Sequence, residues 1–150
     1  MVTKLVNERT DPQLWLDKAY RFLSYRPRSQ HEISTYLQRK QASPQIIASV
    51  MAKLKRQKLL DDQEFIVWWV DQRARFRPRG KRALRFELRQ KGVSGPSVET
   101  VLAGLDELKL AKKALKNHAR SYRQAGRFLV QRGFGWSVIR PVLEEIFPKG

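Results

Sequence analysis

Cysteine is absent from the 150 residues, which removes disulfides, thiolate nucleophiles, Cys-based zinc sites and iron–sulfur clusters together. A reducing compartment is compatible with that absence. Acidic residues are scarce: 14 Asp and Glu face 31 Lys and Arg, for a formal charge of +17 and a pI of about 10.8. Such an imbalance points to a polyanionic or strongly acidic partner. Histidine occurs only as His31 and His118, far apart and without a companion nucleophile, so surface or capping roles are expected for both. No glycine-rich phosphate loop is present, Arg79-Gly80-Lys81 being only a fragment of Gly-x-x-x-x-Gly-Lys-Ser/Thr. Asp61-Asp62 lacks a second acidic cluster to complete a metal site; Asp61 is read as a helix N-cap and Asp62 as favouring the positive helix end. No catalytic residue, metal or cofactor is expected, and the chain is not read as an enzyme. No hydrophobic run approaches the ~20 residues needed to span a bilayer. Glu8 and Arg9 interrupt the N-terminus before the apolar stretch of a secretory signal can form. A cytoplasmic location without membrane association is expected.

What is present is enough apolar material to fold. Leu, Ile, Val and Phe number 41, about 27% of the chain and above the ~20% that marks charged disordered sequences. Residues 26–29, Arg-Pro-Arg-Ser, recur as Arg77-Pro78-Arg79-Gly80. At an offset of 51, Ile33, Leu37, Lys40, Ile47, Val50, Met51 and Leu54 align without a gap with Leu84, Leu88, Lys91, Val98, Val101, Leu102 and Leu105. A weaker third copy follows at a further offset of 41, carrying Lys91 onto Arg132 and Gly92 onto Gly133 but lacking the Arg-Pro-Arg turn.

Each copy reads as three helices. Asp11-Pro12 and Ser43-Pro44 are N-caps followed by proline at the first helical position. Ser29 with Glu32 forms a capping box, and Asp61 with Glu64 a similar one. Pro78 ends a helix, Gly80 is expected to adopt an unusual backbone angle, and Gly92 is expected to be a left-handed cap. In the third copy one helix is expected from about Asp106 to Tyr122, another through Phe128 and Leu129, and a last through Ile139, Val142 and Leu143. β-branched residues nowhere alternate as in strands. The fold class is all-α, an elongated array of three tandem three-helix repeats. Residues 1–10 are assigned to a tail, 11–60 to the first repeat, 61–105 to the second and 106–150 to the third.

Between Arg73 and Lys91 stand nine basic residues and one acid, Glu87. Lys81, Arg82, Arg85 and Arg89 share an arc of about 100° beside Leu84 and Leu88, so the helix presents an arginine stripe suited to phosphates or carboxylates. The candidate contacts are Arg73, Arg77, Arg79, Lys81, Arg82, Arg85, Arg89 and Lys91. Secondary patches are Arg26, Arg28, Arg39 and Lys40 in the first copy and Arg123, Arg127 and Arg132 in the third. A solvated helix face, or charges merely copied by duplication, are the bland alternatives. Trp15, Phe22, Phe65, Trp68, Trp69, Phe76 and Phe128 fall at core spacing, whereas Tyr25, Phe86 and Trp136 are expected to be exposed.

Leu59-Leu60-Asp61-Asp62-Gln63-Glu64-Phe65, then Arg73, then the unbroken run from Arg77 to Val93 resemble the signature block of the bacterial RecX regulatory proteins. Ala19 to Lys40 resembles the first repeat of that family, and the likeness extends over about Leu14 to Phe147, weakest after Leu110. The resemblance implies a non-enzymatic inhibitor of the RecA recombinase. Such a protein binds the RecA–single-stranded DNA filament in its groove and opposes filament growth, ATP hydrolysis, strand exchange and co-protease activity, modulating DNA repair, recombination and the SOS response. The partners expected are the RecA filament and single-stranded, with double-stranded, DNA; the chain is expected to act as a monomer. The alternative is a stand-alone nucleic-acid-binding module of helix-turn-helix type.

Overall fold

The computed structural model describes residues 10–148; the tail assigned to 1–10 lies outside them apart from Thr10, as do Glu8 and Arg9. The described residues form nine α-helices and no strand. These are α1 (Pro12–Tyr25), α2 (Gln30–Arg39), α3 (Pro44–Arg56), α4 (Asp62–Phe76), α5 (Lys81–Gln90), α6 (Pro96–Ala103), α7 (Glu107–Leu115), α8 (Tyr122–Gln131) and α9 (Trp136–Ile146). Their order is that of tandem three-helix repeats. No helix is long and apolar enough to cross a membrane among the described residues.

Several helices start where short polar side chains satisfy orphan amides. Asp11 accepts from the Gln13 N–H, Ser43 from Ile46 N–H, and Ser29 and Glu32 close the full capping box. Asp61 caps α4 through the N–H groups of Gln63 and Glu64. Glu64 does not return the bond, so this cap is one-sided. Asp62 serves another helix: its carboxylate accepts from the Gln30 N–H, 2.8 Å away at the start of α2.

The chain divides into two compact units. The first runs through Phe65 and includes Lys91–Val93. Its core joins α1, α2 and α3 through Trp15, Leu16, Ala19, Ile33, Leu37, Ile46, Val50, Leu54 and Leu60. Phe22 and Tyr36 stack on its margin, centroids 4.2 Å apart. The Ser29 hydroxyl donates to the Lys91 carbonyl at 2.6 Å, and Gly92, at φ +77°, lies so close to His31 that a Cβ there would overlap the His31 Cβ. The expected left-handed cap at Gly92 is therefore present, and close approach requires glycine as much as the dihedral does.

The second unit contains Ile66–Gln90 and the chain from Ser94. In it α5 meets α6, with Leu84, Leu88, Val98 and Leu102 buried. Helices α7, α8 and α9 enclose Leu110, Ala111, Leu115, Ala125, Leu129, Phe134, Ile139, Val142 and Leu143. Gly80 departs from expectation: its φ is not in the left-handed region, but a Cβ there would stand 2.3 Å from the Gly133 carbonyl oxygen. The Gly80 N–H donates to Arg132 O at 2.8 Å and the Arg82 N–H to Gly133 O at 3.2 Å. Gly80 is thus needed for backbone-to-backbone contact, not for an unusual angle.

Two further expectations are corrected. The helix expected over Asp106 to Tyr122 ends early: α7 stops at Leu115, Asn117 takes φ +67°, and Tyr122 instead opens α8, the helix expected through Phe128 and Leu129, which Ser121 caps by accepting from the Gln124 N–H. Phe76, expected in the core, is 73% exposed, because it is the last residue of α4 before the Arg77-Pro78 turn carries the chain away. Tyr25, Phe86 and Trp136 are exposed as expected.

Candidate functional site

Of the eight residues nominated around α5, five are engaged with acids. Glu87 collects three partners on two oxygens. Trp69 Nε1 donates to Oε2 at 3.0 Å, Arg73 Nε to the same oxygen at 3.1 Å, and Arg79 Nε stands 3.3 Å from Oε1. The Arg73 guanidinium also lies 4.8 Å from the Trp69 ring centroid. Arg79 Nε is buried without a well-aligned hydrogen bond. Burial lowers its pKa from the usual arginine value, as do Arg132, Arg73 and Arg77, while Glu87 pulls the other way. Even lowered, a guanidinium stays charged at neutral pH, so Glu87 holds the charge in place.

Lys81 and Arg85 are also committed. Lys81 Nζ lies 3.8 Å from Glu107, whose Oε2 accepts from the Lys81 backbone N–H at 3.1 Å and so caps α5. Arg85 grips Glu99 with two bonds of 2.7 and 3.0 Å. That hydrogen bond raises the Arg85 pKa and lowers that of Glu99 from their ordinary values. Lys91 Nζ reaches to 3.8 Å from Glu32.

Arg77, Arg82 and Arg89 remain, all exposed and without an acidic partner among the described residues. On α5, Arg82, Phe86 and Arg89 are spaced i, i+4, i+7 and so share a face, with Phe86 61% exposed between two unpaired guanidinium groups. The sequence stripe is therefore narrower than the wheel implies: its inner arginines bind the protein's own acids and its outer ones face solvent.

The secondary patches divide similarly. Arg26 makes a bidentate pair with Glu32. Arg28 lies 3.8 Å over the Phe22 ring and 3.9 Å from Glu32, and burial lowers its pKa most, with Arg26 adding to the shift. Lys40 Nζ sits 5.9 Å from the Tyr36 centroid and Arg39 is exposed. In the third copy Arg132 lies 4.7 Å over Phe128, while Arg123 and Arg127 are exposed and have no acidic partner among the described residues. His31 and His118 are both exposed, His118 stacking on Phe128 at 5.2 Å. Among the described residues no group of three His, Asp or Glu could hold a metal ion.

One feature escaped the sequence reading. From Leu108 to Leu143 there is no Asp or Glu, yet there are nine Lys and Arg. This acid-free stretch is longer and less dense in charge than Arg73–Lys91, and its signal is the missing acids.

Residues 16–54 match the first three-helix domain of RecX and residues 61–102 the second. The regulatory protein RecX of Chlorobium phaeobacteroides is 36% identical over 146 residues, covering 92% of this chain and 97% of that protein. The chain belongs to the RecX family. Its RecX relatives from Oceanobacillus iheyensis and Bacillus subtilis are 33% and 32% identical, each over 87% of this chain. The chain spans about half the length of those two, 54% in each case. Crystal structures of RecX from Lactobacillus salivarius (TM-score 0.78, 20% identity, 91% of this chain and 96% of that one) and of a second regulatory protein RecX (TM-score 0.75, 24% identity, 87% and 72%) share the fold.

Proposed function

We propose that this RecX-family chain binds the RecA filament on single-stranded DNA and restrains it without catalysing a reaction of its own. Bound there, it opposes filament growth, ATP hydrolysis, strand exchange and co-protease activity, and so moderates recombination, repair and the SOS response. The observation that carries this reading is the outward face of α5, where Arg82 and Arg89 flank an exposed Phe86 and no acid among the described residues neutralises them. Planar guanidinium groups pair with phosphate or carboxylate, so this face suits both DNA and an acidic protein surface. The inner arginines keep α5 seated against its own acids, so contact is electrostatic and geometric, not chemical.

The test is RecA's DNA-dependent ATP hydrolysis, titrated with the chain at near-physiological salt and excess single-stranded DNA. Inhibition well below one chain per RecA supports a filament regulator. Inhibition that vanishes with added DNA, or none, supports a plain nucleic-acid-binding module. Reversing Arg77, Arg82 and Arg89 to Glu is expected to abolish inhibition with helicity unchanged, whereas reversing Arg73 and Arg79 is expected to lower thermal stability.

A further inference from the structure

The third copy lacks the Arg-Pro-Arg turn, yet it carries an exposed surface with the composition of a strand-binding track. Along α8, Tyr122, Gly126 and Val130 lie at i, i+4, i+8 and, with Trp136 at the start of α9, line a groove of about 440 Å³. Trp136 is 58% exposed, Val130 47% and Tyr122 38%. The indole rests close to the α8 backbone at Gly126, where a Cβ would stand in ordinary contact with its Cη2, 3.5 Å away. One side of the ring is thereby supported while much of it remains open. Arg123 and Arg127 border the groove one helical turn apart, both exposed and neither paired with an acid among the described residues. They lie in the 36-residue stretch that has nine Lys and Arg and no Asp or Glu.

We propose that this groove is a landing site for single-stranded nucleic acid, with bases stacking on Trp136 and Tyr122 and neighbouring phosphates on Arg123 and Arg127. The proposal rests on the filament reading above and names where the strand is held. Stacking asks no hydrogen bonds of the groove wall, and this wall is almost wholly apolar. A turn of helix sets the two arginines about 5–6 Å apart at Cβ, comparable to the step between adjacent phosphates of an extended strand. An acid-free approach means that no protein carboxylate from this stretch competes for them.

The experiment uses the full chain and a labelled oligothymidylate without RecA, read by fluorescence anisotropy, with circular dichroism on every variant. Trp136→Ala is expected to weaken binding about tenfold and Trp136→Phe far less, because any π face supports stacking. Trp136→Phe also removes most of the tryptophan quenching that binding produces. Arg123→Gln with Arg127→Gln is expected to weaken binding and to lower the log–log salt slope by about 1.4, two phosphates at ~0.7 each. Val130→Glu, a surface change that leaves the ring in place, is expected to weaken binding at least as much. Parent-like affinity for both Trp136→Ala and Val130→Glu overturns the site. So does competition by polyglutamate equal to that by unlabelled oligothymidylate and unaffected by Trp136→Ala, which assigns the surface to acidic proteins. Parallel RecA ATPase assays separate the two ideas: inhibition by the parent with unchanged DNA binding in the variants refutes only the groove. Weakened DNA binding in the variants without inhibition by the parent refutes only the filament reading.

Discussion

The first and second copies put different chemistry at the same positions. At the offset of 51, Phe22 aligns with Arg73, Tyr36 with Glu87 and Arg28 with Arg79. In the first copy Phe22 and Tyr36 stack at 4.2 Å and Arg28 lies 3.8 Å over Phe22. In the second, Arg73 donates to Glu87 at 3.1 Å and Arg79 stands 3.3 Å away. The helix arrangement brings the three positions together in both copies, and either a ring stack with a capping guanidinium or an ion cluster fills the space. The second arginine of each Arg-Pro-Arg turn therefore folds back onto its own repeat. A recurring arginine that looks like a contact for a partner is, at this position, part of the fold.

The largest effect tests whether the two copies share a core plan. Leu37 and Leu88 align and are both fully buried; each changed to Ala is expected to cost about 2–5 kcal/mol in urea unfolding, through lost burial and the cavity left. A neutral result at either position breaks the equivalence. Next, Glu87→Ala strands Arg73 and Arg79, both only partly exposed, without their counter-charge; about 1–3 kcal/mol is expected to be lost. Tyr36→Ala, which removes an uncharged partner, is expected to free Phe22 and Arg28 without stranding a charge, and its cost is expected to respond less to salt than that of Glu87→Ala.

The sharpest comparison is a transplant. Arg73→Phe with Glu87→Tyr gives the second copy the first copy's ring pair but leaves Arg79 without the acid that Glu32 supplies to Arg28, so the double variant is expected to lose less than Glu87→Ala, about 1 kcal/mol, because the new ring pair packs and caps the guanidinium that remains. A much larger loss shows that the ion cluster, including its Trp69 bond, specifies the second repeat. The smallest effect concerns pH. Arg85 lowers the Glu99 carboxyl pKa by hydrogen bonding, so the pair stabilises the fold above the ordinary glutamate range and that contribution disappears as pH falls through the lowered value. An NMR titration is expected to show Glu99 protonating below the ordinary glutamate range, and Arg85→Gln is expected to return it there.

The caps at Asp11, Ser29 and Ser43 and the buried faces of α2, α3 and α5 were legible because they depend on residues three or four apart. The ion pairs were not. Arg85 and Glu99, Lys81 and Glu107, and Lys91 and Glu32 are 14 to 59 residues apart, and only packing reveals that an acid waits opposite each base. The early end of α7 at Leu115 was hidden for a different reason: Lys, Asn, His and Ala are all tolerated in a helix, and the stop depends on Asn117 in a left-handed turn that glycine more often marks. The exposed groove beside Trp136 was only half visible. Exposure of the tryptophan could be expected from its place at a helix start, but Tyr122 lay inside an expected helix that does not continue to it.

The hydrogen bonds from Gly80 and Arg82 to Arg132 and Gly133 tie the first turn of α5 to the turn between α8 and α9. These two amide protons are consequently shielded from solvent exchange by a structure about fifty residues away in the chain. When the α8–α9 turn opens, the start of α5 loses its acceptors with it, so exchange at the two segments is expected to be coupled. A ligand that holds α8 still would slow deuterium uptake at Gly80 and Arg82 without touching either.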